Sequence, residues 1–318
     1  MKFIEELRED MTINEIYFCR KKQELLTKAG KPYFSLTLQD KTGSLDAKVW
    51  NTASGGIEEF STNDYINVSG RVTSFQGNLQ LNIDRVRKCS EDEYNPADFM
   101  PCTKKNVEEM YQELTDIIAS IKEPHLKQLT EYFFVKSEGF RKSFQTHSAA
   151  KSVHHGFIGG LLEHTLGVTK LCDFFASTYP ILNRDLLVTA AMFHDMGKMK
   201  ELSKFPENDY TDEGQLLGHI YMGAHIVEDA IQKIPEFPVC LRNELIHCIL
   251  AHHGELEFGS PKKPALVEAF ALNYADNIDA KFQTISELFQ GGEDNLEWLG
   301  FQRVLDSNIR RTSKTVDK

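Results

Sequence analysis

Residues 190–202 read AAMFHDMGKMKEL: an apolar run, Ala190-Ala191-Met192-Phe193, delivers His194 and Asp195 side by side, with Gly197 and Lys198 just beyond. Burying an imidazole or a carboxylate without a partner costs at least a few kcal/mol, so the pair needs a partner that the run itself does not contain. Adjacent helical positions differ by about 100°. Both side chains can therefore reach one cation between them, or hold two with the carboxylate as a bridge. Imidazole and carboxylate donors together suit Mn, Fe, Zn or Ni rather than Ca or Mg alone.

The pair is not isolated. All eleven histidines lie at or after position 125, and several fall in short clusters: His154-His155, His164 in GGLLEHTLGV, His219 in GHIYMGAHIV and His252-His253 in LAHHGE, with Asp276 in NYADNID. His164 shares an amphipathic pattern with Leu161, Leu162, Val168 and Leu171, which turns it to or beside a core. Any one of these histidines alone is most simply a core residue satisfied by a carbonyl or a water. Independent packing does not account for the whole set, each member in an apolar helical context. His125, His147, His225 and His247 read as structural.

Such a constellation must be held by helices, and from residue 103 the pattern is helical: Val107, Met110, Tyr111, Leu114, Ile117, Ile118 and Ile121 recur at i, i+3, i+4 and i+7. Breaks fall at Gly159-Gly160, Pro206, Pro235–Pro238 and 259–264. The front of the chain reads as β. Phe34, Leu36 and Leu38 alternate with Tyr33, Ser35, Thr37 and Gln39, Asp40-Lys41-Thr42-Gly43 supplies a turn, and Leu45, Ala47 and Val49 resume the alternation. A second hairpin runs from Ile66, Val68, Gly70 and Val72 through Gln76-Gly77-Asn78 to Leu79, Leu81 and Ile83. With a strand around Ile13–Phe18, five strands fit a small closed barrel of the OB type. The prediction is an α+β multidomain chain: an N-terminal five-stranded OB-like barrel over 1–90, a linker over 91–102, a helical connector over 103–150, an all-α domain over 151–305 and a polar tail over 306–318.

The totals agree with such a chain. Its 318 residues suggest two or three domains, and 41% hydrophobic with 26% charged residues supplies real cores. No apolar stretch approaches the ~20 residues of a membrane span, and MKFIEELRED lacks a signal-peptide core. Six cysteines without a CxxC pair read as reduced thiols of a cytoplasmic protein. The net charge of −11 argues against a generic nucleic-acid coat. It is unevenly spread, with 13 Lys/Arg against 12 Asp/Glu in residues 1–90 and 23 against 35 in the rest. A duplex-DNA regulator is disfavoured by that balance and by the absence of a helix-turn-helix pattern.

In order, His164, His194-Asp195 and Asp276 resemble the signature of the HD-domain metal-dependent phosphohydrolases over roughly 150–285, with HDMGK inside an apolar helix as the specific match. More closely, HHGFIGGLLEHT, HHGELEFGSPKKP and YADNIDA behind an OB-like front resemble the YhaM-type 3′-to-5′ exoribonucleases over almost the whole chain. The resemblance implies that His164, His194, Asp195 and Asp276 hold one metal. It also implies that His219, His252 and His253 hold a second, with Asp195 bridging, and that Lys198 contacts a non-bridging phosphate oxygen. The implied cofactor is a pair of divalent ions, Mn2+ first, with Co2+, Fe2+ or Mg2+ as alternatives. The segment Gly254–Gly259 lacks the Gly-Tyr-Pro motif of the cyclic-dinucleotide phosphodiesterases, which argues against that specificity. His154 and His155 have no place in the metal set. They position phosphate or protonate a leaving group, or only stabilise the Gly159-Gly160 turn.

Two cations a few ångströms apart lower the pKa of a bridging water and stabilise charge on phosphate oxygens. Asp195 and Lys198 are thus the expected catalytic residues of a phosphodiesterase. On the barrel, alternation puts Tyr33, Lys48 and Trp50 opposite the core residues, and Phe75 falls in the second hairpin's loop. Aromatics beside a lysine suit stacking on single strands, although Trp50 and Phe75 could instead pack against the linker or the helices. The expected partner is single-stranded RNA or DNA, with no membrane and with self-association left open. Two rivals stand: a phosphohydrolase of a small nucleotide, and a non-catalytic single-strand-binding protein.

Overall fold

The computed structural model describes residues 1–75, 78–151, 155–289 and 296–313. Five strands, β1 (Thr12–Leu26), β2 (Pro32–Asp40), β3 (Gly43–Val49), β4 (Tyr65–Phe75) and β5 (Asn78–Lys88), close into a barrel of order β1-β2-β3-β5-β4. Period-2 alternation decides its interior. Leu36 and Leu38 pair with Ala47 and Leu45 across the first hairpin, and all four join Val68, Val72, Leu81 and Ile83 in one core. The hairpin turn is made by the Asp40 carboxylate, whose Oδ1 accepts from the backbone of Thr42 (2.7 Å) and Gly43 (3.2 Å). Closure comes from antiparallel pairing of β1 with β4 and parallel pairing of β3 with β5, where Ala47 sits opposite Leu81.

Three details depart from the sequence expectation. β1 runs on to Leu26 rather than stopping at Phe18, and its register shifts between Cys19 and Lys21. The polar run that follows lacks alternation, and β2 holds it by backbone pairing through Leu26. The segment expected as a linker is anchored: Phe99 and Met100 are buried with Phe18, Tyr65 and Cys89, and Gln39 Nε2 donates to the Phe99 carbonyl (3.1 Å). Phe75 ends β4 instead of lying in the loop. Gln76 and Gly77 lie outside the described residues.

Helices α1 (Val107–Ser120), α2 (Pro124–Glu131), α3 (Glu138–Thr146), α4 (Gly160–Thr178), α5 (Arg184–Phe193), α6 (Lys198–Glu201), α7 (Asp212–Ile231), α8 (Val239–Ala251) and α9 (Val267–Leu288) follow. Side chains cap the starts of some of them, as Asn106 does for α1, Asn183 for α5 and Thr211 for α7. One hydrophobic core spans α1 to α9, so the 103–150 segment shares its packing with the later helices. At its centre every residue of α5 from Leu186 to Phe193 is buried. A helix surrounded on all sides is apolar all round, which explains the run that leads to His194. A short hairpin pairs Phe301–Gln302, at the end of the segment expected to be all-α, with Ser307–Asn308, at the start of the expected tail. Residues 314–318 lie outside the described set. No helix among the described residues is long and apolar enough to cross a membrane.

Candidate active site

Five helices deliver the polar side chains to one place. His164 comes from the buried face of α4, Asp276 from α9, and His252 and His253 from the end of α8. His194 and Asp195 do not lie inside a helix, as the apolar context suggested: α5 ends at Phe193, and the pair occupies the turn before α6. A helix C-terminus frees both residues from one fixed helical face. His219 follows a kink in α7 at Gly218, whose φ of 72° and ψ of 153° suit a residue without Cβ. The kink presents the His219 backbone amide to Glu201 Oε1 at 2.9 Å.

The donor atoms form two groups on either side of one carboxylate. Asp195 Oδ2 lies 3.3 Å from His164 Nε2 and 3.4 Å from His194 Nε2. Asp276 Oδ1 closes that group, 3.2 Å from His164 Nε2. The other oxygen, Asp195 Oδ1, lies 3.4 Å from His219 Nε2 and 3.7 Å from His252 Nε2. One donor atom from each of His219, His252 and His253 falls within 4.8 Å of the others.

All five imidazoles are held the same way round. Nδ1 of His164 meets Asp279 Oδ2 (2.8 Å), and that of His219 meets Glu201 Oε1 (3.0 Å). The Nδ1 atoms of His194, His252 and His253 meet the carbonyls of Ala191 (2.7 Å), Ile249 (2.6 Å) and Phe258 (2.8 Å). Each acceptor keeps the proton on Nδ1 and turns the Nε2 lone pair toward the centre, as metal-binding histidines require. Asp195 Oδ1, His219 Nε2 and His252 Nε2 are buried without any hydrogen-bond partner among the described residues. Each orphaned atom of this kind costs roughly 1–3 kcal/mol, and a divalent cation among them satisfies all three. The residues fit a divalent metal.

The electrostatics of Asp195 and His252 agree. Burial works against the Asp195 charge, but Lys198 and His194 more than offset it and hold the carboxyl well below its usual range. Burial, then the charges of His253 and His194, push His252 well below the usual imidazole value, so it stays neutral and able to coordinate. Lys198 opens α6 with Nζ 2.6 Å from Asp195 Oδ2. Burial disfavours its charge as well, and the Asp195 carboxylate raises it above the ordinary lysine range.

Other residues singled out by sequence fall differently. His155 lines the same pocket with φ of 63°, and its Nε2 meets Asp279 Oδ2 at 3.0 Å. Its carbonyl lies against Gly160, where a Cβ would come within 2.0 Å, so His155 touches both the pocket and the turn. His154 lies outside the described residues. His225 is exposed near Asp229, and His125, His147 and His247 bond locally away from the centre. Sequence reasoning missed Asp279 and Glu201, the carboxylates that orient His164 and His219. The available signal was Asp279 one helical turn after Asp276, on the same face of α9.

On the barrel, Tyr33 and Trp50 stack with ring centroids 4.9 Å apart, and Trp50, half exposed, donates to Asn82 Oδ1 (2.8 Å). Lys48 donates to Ser35 Oγ (2.8 Å) and Asp46 Oδ1 (2.9 Å) on the same strands. Phe75 is exposed. None of these four side chains lies among the buried core residues of the barrel. Basic residues elsewhere on the barrel are partly spent internally: Lys22 sits over Phe34 and Phe60, Arg87 pairs with Glu93 and Lys88 with Asp64.

Comparison with known proteins gives the class first. The HD domain matches residues 161–281, and the OB-fold nucleic acid binding domain of the tRNA anti-codon type matches residues 18–88, so an OB fold precedes an HD domain on one chain. The 3′-5′ exoribonuclease YhaM of Geobacillus sp. (strain WCH70) is 36% identical over 265 residues, 82% of this chain and 80% of that one. That of Bacillus subtilis (strain 168) is 35% identical over 264 residues, 82% of each. The chain belongs to the YhaM family. Among solved structures, the second OB-fold domain of replication protein A from Methanococcus maripaludis is similar at 25% identity, covering 28% of this chain and 95% of that one, with a TM-score of 0.24.

Proposed function

We propose that this chain is a cytoplasmic, metal-dependent 3′-to-5′ exonuclease that hydrolyses phosphodiester bonds of single-stranded RNA, with single-stranded DNA as a second substrate. The observation that carries the reading is the two-sided use of Asp195, with Oδ2 toward His164, His194 and Asp276 and Oδ1 toward the orphaned His219 and His252 nitrogens. Polarity and the RNA substrate follow the relatives, which are 3′-5′ exoribonucleases by name. The nitrogen-and-oxygen donor set suits a divalent transition metal, and Mn2+ is the ion we assign to it.

When bound there, two divalent ions activate water as the nucleophile and screen the charge that develops on the phosphate. The chain's own residues do the rest. Asp195 holds the two halves of the site at a fixed separation, and Asp279 and Glu201 keep His164 and His219 in the coordinating tautomer. Lys198, already protonated at the pocket edge, swings from Asp195 to a non-bridging phosphate oxygen and offsets transition-state charge. The Tyr33–Trp50 stack, with Lys48 and Phe75, receives unpaired bases without reading their sequence.

Digestion of 5′-labelled single-stranded RNA with Mn2+ tests the reading, beside a 3′-labelled copy and a chelator control. A descending ladder from the 5′ label, abolished by chelator and restored by Mn2+, is expected. RNA left intact by metal-loaded protein would transfer the assignment to a small-nucleotide phosphohydrolase. For the barrel, Trp50→Ala should weaken binding of long single strands about 10-fold while sparing hydrolysis of a small chromogenic phosphodiester. Equal losses on both substrates would remove the tethering role.

A further inference from the structure

Beyond the metal ligands, the pocket is lined by residues that the hydrolytic chemistry does not use. The cavity, about 320 Å3, holds Phe258, Asn277, Ala149 and Ala280 in the same lining as His155, His164, Asp195, Lys198, His253 and Asp276. Phe258 ends a single 3-10 turn, Leu256–Phe258, and its side chain is 70% exposed at the pocket. Its ring makes no aromatic or cation contact with any described residue. Its backbone is not free, however, because its carbonyl accepts from His253 Nδ1 at 2.8 Å. The residue that orients a candidate metal ligand thus also offers an unpartnered ring beside the metal centre. Asn277, on α9 one position past Asp276, donates from Nδ2 to the Asn273 carbonyl (2.9 Å). That bond uses Nδ2 and leaves Oδ1 as an acceptor without a hydrogen-bond partner among the described residues.

We infer that Phe258 and Asn277 form a subsite for the terminal nucleoside of the strand, with the Phe258 ring as the platform for the base and Asn277 Oδ1 as an acceptor for a ribose hydroxyl. The inference rests on the exonuclease reading of the same site and names what that site holds. A ligand that fills the pocket must bring an anionic group to Lys198 and the metal donors, a flat apolar face to Phe258 and a hydroxyl donor to Asn277. A nucleotide has all three at about this size. Every base has a π-face, so a phenyl platform imposes little sequence preference, as suits an enzyme that removes whichever residue comes last. An acceptor for the 2′-hydroxyl separates RNA from DNA at the terminal position. Exposed phenylalanines are common on protein surfaces. The distinguishing features here are the place of this ring in the catalytic pocket and its backbone link to His253.

The test uses the full-length, Mn2+-loaded protein with three 5′-labelled oligoadenylates: an intact end, a 3′-terminal abasic residue, and a 3′-terminal 2′-deoxynucleotide. Phe258→Ala should raise KM for the intact end about 10-fold, with Phe258→Trp restoring it and metal content unchanged in both. The abasic end should cost the wild type the same factor and cost Phe258→Ala nothing further. The deoxy end should slow the wild type but not Asn277→Ala. A Phe258→Ala protein that matches the wild type, or one that is slowed equally on intact and abasic ends, overturns the subsite. If the wild type digests none of the strands, the exonuclease reading fails instead, and titration with AMP then decides the subsite. About 10-fold weaker AMP binding by Phe258→Ala supports it, and unchanged binding ends it.

Discussion

Asp195→Asn is expected to lower phosphodiester cleavage by on the order of 10³-fold while binding of single strands to the barrel stays within a factor of two or so. The substitution keeps the side chain's shape and removes its charge and one of its two acceptor oxygens. Whichever way the amide turns, its NH2 then faces either the His164–His194 group or the His219–His252 group, and the shared contact is lost on that side. The metal content of the purified variant should fall below two ions per chain. Activity and metal content both at wild-type level would show that Asp195 does not bridge. The barrel lies outside this change, so loss of RNA binding in parallel with cleavage would point to misfolding, which circular dichroism detects.

Gly197→Ala should be nearly as damaging, although residue 197 touches no substrate. A Cβ there would lie 2.0 Å from the His219 carbonyl oxygen and 2.7 Å from the Gly223 amide nitrogen. Both contacts are backbone, so no side chain can rotate away. The part of α7 that follows the Gly218 kink must move off α6 by an ångström or more, and it carries His219 with it. Displacements of that size cost about 100-fold in rate where geometry is tight, and overpacking of a buried contact costs about 1–3 kcal/mol of stability. The expected result is a folded protein with a lowered Tm, normal RNA binding and about 100-fold slower cleavage. Unchanged cleavage would mean that His219 has no part in the reaction. A change confined to stability would lead to the same conclusion.

Much of this was legible in the residues. The barrel follows from period-2 alternation around a turn that Asp40 makes for itself, and the helices follow from 3.6-residue periodicity. Local pattern was a weaker guide where backbone pairing or distant packing decided the outcome. β1 continues through a polar run because β2 supplies partners for it, and 91–102 is anchored because Phe99 and Met100 find a cavity beside Phe18 and Tyr65. A window that contains only the polar flanks cannot reveal either partner.

At the centre, the sequence by itself determined the types of donor: imidazoles and carboxylates in apolar surroundings, where each would be costly alone. Only the tertiary structure decided which atoms meet. Asp279 reaches His164 across 115 positions of chain and Glu201 reaches His219 across 18, and Asp195 divides its two oxygens between histidines on four different helices or helix ends. Those contacts depend on how closely α6 can approach α7 at Gly197 and on how α9 lies against α4. Spacing along a chain sets the face a residue occupies on its own helix, and packing of the core sets what that face meets.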